Sequence, residues 1–150
     1  MGSFSKVLSL AAVAVVITGC ASGPKHAEVK NSIPELATDK GRVYFYRSNS
    51  MMGAAIQPDI KLNGEVVGSS MPGGFFYVDR APGNYEVLTS TEVDKKLTFV
   101  LNAREQKCVK TTIGFGVVAG RVYPELVDAA QCERDLVETS YTGTALTPKK

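Results

Sequence analysis

From Gly41 to Ile113 the chain is a succession of short apolar runs, each closed by turn-forming residues, with no helical spacer between them. Strands that follow one another so closely pair with their neighbours, which predicts an antiparallel sheet built from hairpins. The clearest strand is Arg42-Val43-Tyr44-Phe45-Tyr46-Arg47, with Val43 and Phe45 on one face and Tyr44 and Tyr46 on the other. Apolar groups on both faces mark a central strand. Residues 59–62 and 65–68 flank Asn63-Gly64, a pair that takes the positive backbone angles of a type I′ hairpin turn. Residues 75–79 form the next strand, Pro82-Gly83 a reverse turn, and Tyr85, Val87 and Thr89 share one face of the strand after it. Leu97, Phe99 and Leu101 alternate with Thr98 and Val100, and a turn at residues 102–106 leads into a strand over residues 108–113. Residues 48–57, with Met51-Met52-Gly53, read as a loop.

Fourteen Gly, seven Pro, six Tyr and six Phe suit this turn-rich reading better than a bundle of long helices. One helix is expected near the C-terminus. Asp128 can cap it with Gln131 three residues later, and Ala129, Cys132 and Leu136 recur on one helical face. The glycine-rich stretch 114–120 fails as a dinucleotide fingerprint, because its third glycine falls one position late and no βαβ unit surrounds it. As a membrane helix contact between Gly116 and Gly120 it lies in too short an apolar segment. It reads as a glycine-hinged strand or loop.

The N-terminus follows another pattern. Lys6 precedes an apolar run over residues 7–17, broken only by Ser9, and small residues follow, the order of a secretory signal. At about 1.5 Å per residue the run covers about half of a bilayer core about 30 Å thick. Its end, Ile17-Thr18-Gly19-Cys20, resembles the lipobox of bacterial lipoproteins. That resemblance implies diacylation of the Cys20 thiol, cleavage before it and acylation of the new amino group, since several chains make a lasting anchor where one binds marginally. Ala21 after the cysteine, rather than Asp, implies by the same resemblance the outer membrane of the cell envelope, facing the periplasm. A buried cysteine behind a core helix is a competing reading, but the run has no polar face. An uncleaved anchor is another, but Ala21-Ser22-Gly23-Pro24 reads as flexible tether. The expected organisation is a signal peptide over 1–19, lipidated Cys20 and tether over 20–40, a β domain over 41–141 and a polar tail over 142–150. Within the tether, Pro34-Glu35-Leu36-Ala37 can form one helical turn docked on the domain.

With Cys20 acylated, Cys108 and Cys132 are an even pair in an oxidising compartment. A disulfide is one reading and two buried thiols that never meet is the other. The net charge of +2, without a basic stripe, argues against nucleic acid as a partner. His26 is the sole histidine and lies in the expected tether, so neither a zinc site nor a nucleophile–histidine pair has support. Met51 and Met52 lack a clustered third ligand for a soft metal. No cofactor, metal or catalytic residue is therefore assigned. Asp79, Glu86, Glu92 and Asp94 are scattered acids that suit charged turns better than an acid pair across a cleft.

The aromatic opening over residues 41–47, the Asn63-Gly64 hairpin, and Gly73-Gly74-Phe75-Phe76-Tyr77 leading to Pro82-Gly83 resemble, in that order, the DUF2846 domain of bacterial lipoproteins over residues 42–141. More loosely they are similar to PEGA-type surface modules. The resemblance implies an envelope β-sandwich-like domain without an assigned activity, and carries no catalytic residue to this chain. The expectation is thus a mainly β protein: a small antiparallel β-sandwich-like domain with one C-terminal helix, held to the membrane by lipid and presenting a non-catalytic surface to a protein or cell-wall polymer. Phe75, Phe76 and Tyr77 are the candidate surface, because three successive aromatics cannot all face one core. Cover by the C-terminal helix is the alternative. A structural or assembly subunit of an envelope complex, and a small periplasmic hydrolase using carboxylates, are the competing functions. A deep pocket with two convergent acids would favour the hydrolase.

Overall fold

The computed structural model describes residues 21–144. In chain order these form α1 (His26–Val29), β1 (Gly41–Tyr46), β2 (Asp59–Leu62), β3 (Glu65–Ser69), β4 (Gly74–Arg80) and β5 (Gly83–Ser90). There follow β6 (Asp94–Leu101), β7 (Gln106–Gly114), β8 (Arg121–Val127), α2 (Ala129–Leu136) and β9 (Ser140–Tyr141). The strands make two sheets, one ordered β8-β7-β1-β4-β9 and the other β3-β2-β5-β6. The mainly β, sandwich-like class read from the sequence is the class that forms, with α2 where the capping residues put it.

Pairing is not antiparallel throughout. β1 runs parallel to β7, with Tyr44 opposite Cys108, and β4 runs parallel to β9, with Phe75 opposite Tyr141. The cause is the route of the chain. Only β2–β3, β5–β6 and β7–β8 are hairpins, while the other short connections among β1 to β7 pass from one sheet to the other. A chain that visits a second sheet can return parallel without a helical crossover, so short spacing does not enforce antiparallel neighbours.

β1 is central, as its two apolar faces require. Val43 and Phe45 point into the sandwich, where Phe45 stacks on Phe76 at 5.1 Å between ring centres, and Ile60, Leu62, Val87 and Leu101 close the core from the second sheet. Gly68 of β3 faces the Phe76 ring so closely that a Cβ there would lie within 3 Å of it. The outer face of β1 carries Tyr44 and Tyr46 and is covered by α2 and by residues near the N-terminus. At the predicted hairpin, Asn63 and Gly64 adopt φ of 48° and 83°, as a type I′ turn needs.

Two stretches differ from expectation. Residues 21–33 are packed on the domain instead of forming a loose tether. Ala21 N–H donates to the Pro72 carbonyl at 3.0 Å, His26 N–H donates to the Thr139 carbonyl at 3.0 Å, and Val29 is buried. The single helical turn is α1, not residues 34–37, because Val29 and Ile33 stand at i and i+4 and both pack on the core. Residues 121–127 form β8, a strand the sequence pattern does not announce, and the glycine-rich stretch is the turn between β7 and β8. Pro124 is tolerated there because β8 is an edge strand.

Candidate contact surface

The three aromatics singled out as a candidate surface are not one. Phe75 is fully buried on the outer face of β4, edge-on to His26 at 5.2 Å and beside Tyr141 at 5.3 Å. Phe76 is buried on the inner face. Tyr77 is half-buried between Tyr44 and Tyr141, with the Arg42 guanidinium 4.5 Å from its ring centre. Strand alternation divides the stretch between two faces as expected, but both faces are covered. The outer cover comes from α1 and β9, segments the sequence placed in the tether and at the edge of the tail.

Cys20 lies outside the described residues. Cys108 and Cys132 form a disulfide that joins β7 to α2, with Cα atoms 6.1 Å apart. Asp128 caps the helix, its Oδ1 accepting from the Gln131 N–H at 2.8 Å. Asp135 then pins the last turn to the sheet, accepting from Tyr46 O–H at 2.7 Å and Lys110 Nζ at 3.0 Å. Burial, then the bond to Asp135, pushes the Tyr46 hydroxyl well above its ordinary range. Burial opposes charge on Asp135, but the bonds from Tyr46 and Lys110 outweigh it and hold its carboxyl below the ordinary value. Beneath α2 is a hollow of about 210 Å³ lined by His26, Tyr44, the disulfide and Glu133. It is smaller than the ~300 Å³ at which small-molecule sites begin.

The candidate acids are dispersed and engaged. Asp79 takes a bidentate bond from Arg42, at 2.6 and 2.8 Å. Glu86 pairs with Lys96 at 3.3 Å, and Asp94 accepts from Ser90 O–H at 2.5 Å. Among the described residues no group of three or more His, Cys, Asp or Glu side chains is placed to hold a metal ion.

Glu92 has a different task. It sits in the turn between β5 and β6 and reaches across to the turn between β7 and β8. Its carboxylate accepts from the N–H groups of Val117, Val118 and Ala119 at 2.9, 2.8 and 3.3 Å, and from Arg121 Nε at 2.8 Å. Donation from Val118, Arg121 and Val117 lowers its pKa to about 2. Successive amides closing on one carboxylate make an anion nest, here filled from the protein itself. Above the nest Phe115, Val117 and Val118 are 91%, 88% and 91% exposed.

The loop after β1 abuts this turn. The Arg47 side chain is buried and donates to the carbonyls of Ile56, Gly53 and Ser70 at 2.6, 2.8 and 3.1 Å. Gly53, with φ of +64°, lies against the Ile113 side chain, and Ile56 reaches Gly120. From this loop Met51 and Met52 project, 84% and 62% exposed. Five large apolar side chains therefore stand at one end of the sandwich on two loops whose backbones are held by charged groups. Scattered exposed apolar residues need no explanation, but five on neighbouring loops at one end of a domain do. The sequence showed the glycines and the methionines; nothing in it marked Glu92 or Arg47 as the groups that shape them.

Residues 37–125, more than half of the chain, match the family described as "Protein of unknown function (DUF2846)". The chain belongs to DUF2846. The DUF2846 match runs from just before β1 into β8, so it contains both apolar loops and their anchors, Arg47 and Glu92. α1, α2, β9 and Cys132 fall outside it. A protein of Haemophilus influenzae described as uncharacterized is 26% identical to this DUF2846 chain over 117 residues, covering 75% of this chain and 69% of the relative. No solved structure matches it.

Proposed function

We propose that this DUF2846 protein is a lipid-anchored component of the bacterial cell envelope, attached through Cys20 to the outer membrane and facing the periplasm. It acts through contact with an envelope protein or cell-wall polymer and catalyses no reaction. The anchoring half of this reading is supported by the order of charge, apolar run and Ile17-Thr18-Gly19-Cys20. The observation that carries the other half is the state of the four candidate acids. Asp79, Glu86 and Asp94 are each taken up in a local bond and Glu92 in the amide nest, so what the domain offers is surface.

Cys20→Ala tests the anchor. The variant is expected to leave the membrane fraction while its domain keeps the wild-type circular dichroism spectrum. Retention in that fraction, as firm as wild type, would refute the lipid attachment. For the contact, crosslinking in whole cells is expected to recover one envelope partner with the acylated protein.

A further inference from the structure

Two separate features meet at one end of the sandwich. β1 and β7 finish there, β8 begins there, and the loop after β1, the turn between β7 and β8 and the turn carrying Glu92 all project from it. Ala21, the first described residue, lies at the same end. Its N–H bond to Pro72 puts it just before β4 starts, where Gly74 accepts from the Arg47 N–H at 3.0 Å. Cys20 is the residue immediately before it in the sequence. If Cys20 carries the acyl chains, the lipid leaves the domain with almost no slack, beside the apolar loops.

We propose that this end of the domain is seated on the bilayer that holds Cys20, with Phe115, Val117 and Val118 entering the interface and Met51 and Met52 beside them. The inference rests on the lipoprotein reading of Cys20 and names the surface that this apolar end meets. An anchor so short keeps the loops at the headgroups, where exposed apolar side chains gain by leaving water. The backbone is prepared for that move. Amides entering a medium poor in water need an internal partner, and those of Val117, Val118 and Ala119 already have one in Glu92, whose charge is met by Arg121. A protein partner could supply such bonds itself, so amides already satisfied favour lipid. The opposite end, with the Asn63-Gly64 hairpin, then faces the protein or cell-wall partner.

The chain has no Trp, so a single introduced one reports without background. The acylated protein carrying Phe115→Trp is reconstituted into phosphatidylethanolamine–phosphatidylglycerol vesicles with brominated acyl chains. A second protein carries Val66→Trp, next to the far hairpin on β3. Both positions are exposed, so folding is not at stake. Phe115→Trp emission is expected to shift to the blue and to be quenched by the bromines, and Val66→Trp emission to do neither. Overturning results are a vesicle-bound Phe115→Trp protein with red, unquenched emission, or a blue shift without bromine quenching, which puts the loop against protein. Intact mass separates the two possible failures. An acylated protein with an unquenched loop sinks the docking alone, whereas a protein without acyl chains removes the lipoprotein reading and the docking together.

Discussion

Glu92 and Arg47 each turn a flexible loop into a fixed one, by opposite chemistry. A carboxylate collects amide donors in the first case, and a guanidinium collects carbonyls in the second. Glu92→Gln keeps the shape and removes the charge, so the amides of residues 117–119 should exchange with deuterium several-fold faster while those of β7 and β8 are unchanged. The same group sets a pH limit. Its folded pKa of about 2 lies below the ordinary 4.5, so its contribution is complete above about 4.5 and is lost as pH falls toward 2. A carboxyl carbon titration by NMR should find its midpoint near 2. Arg47→Met leaves several loop carbonyls short of their donor and should lower stability by about 2–3 kcal/mol in a denaturant titration. Neither role was legible. In the sequence Glu92 stands among four equivalent acids and Arg47 at the end of a strand; the meeting of two turns from different sheets distinguishes Glu92, and the folding of the next loop back over the strand end distinguishes Arg47.

At the scale of elements, what was legible is what short-range chemistry decides. The type I′ turn at Asn63-Gly64, the two apolar faces of β1 and the cap at Asp128 all depend on residues within a few positions, and all form. The parallel pairs β1–β7 and β4–β9 do not, because they follow from where the chain changes sheets. β8 was hidden by Pro124, which demotes a strand pattern except at a sheet edge. α2 lies beside the sandwich and is held by the disulfide and by Asp135. Replacing Cys108 and Cys132 by Ser together opens a loop of sequence separation 24. In the chain-entropy account this lowers stability by about 3–4 kcal/mol, measurable by urea unfolding, with the sheet spectrum retained. Asp135→Ala removes the acceptor of Tyr46 and Lys110 and should take away a further 1–2 kcal/mol or so. Because Asp135 is held below the ordinary carboxylate value, its contribution is whole above that range and fades as pH falls beneath it.

For the whole molecule the decisive question is whether residues 21–33 are a leash or part of the body. A coil of 20 residues would hold the domain on the order of 25 Å from its anchor and leave its orientation open. The packed arrangement does the reverse, and Phe75 shows why the sequence misled: three aromatics in a row resemble an exposed patch until the segments before β1 and after α2 are seen to close over them. Deleting residues 21–33 therefore discriminates. A leash can be removed without effect on the fold. If the segment is structural, its loss uncovers Phe75 and Tyr141 and removes Val29, which should lower stability by about 2–4 kcal/mol and raise binding of a hydrophobic dye. pH supplies an independent check, because burial and then Lys30 hold the His26 pKa below the ordinary 6.5. Such a histidine favours the folded state fully above 6.5, and that advantage shrinks as pH falls below it, since the unfolded chain takes up the proton first. Stability should thus decline between neutral pH and the range below 6.5 in the intact protein. The decline should be reduced in His26→Phe, which keeps a ring against Phe75 but cannot be protonated. An intact protein whose stability ignores pH across that interval, and which tolerates the deletion, would have the loose leash that the sequence suggested.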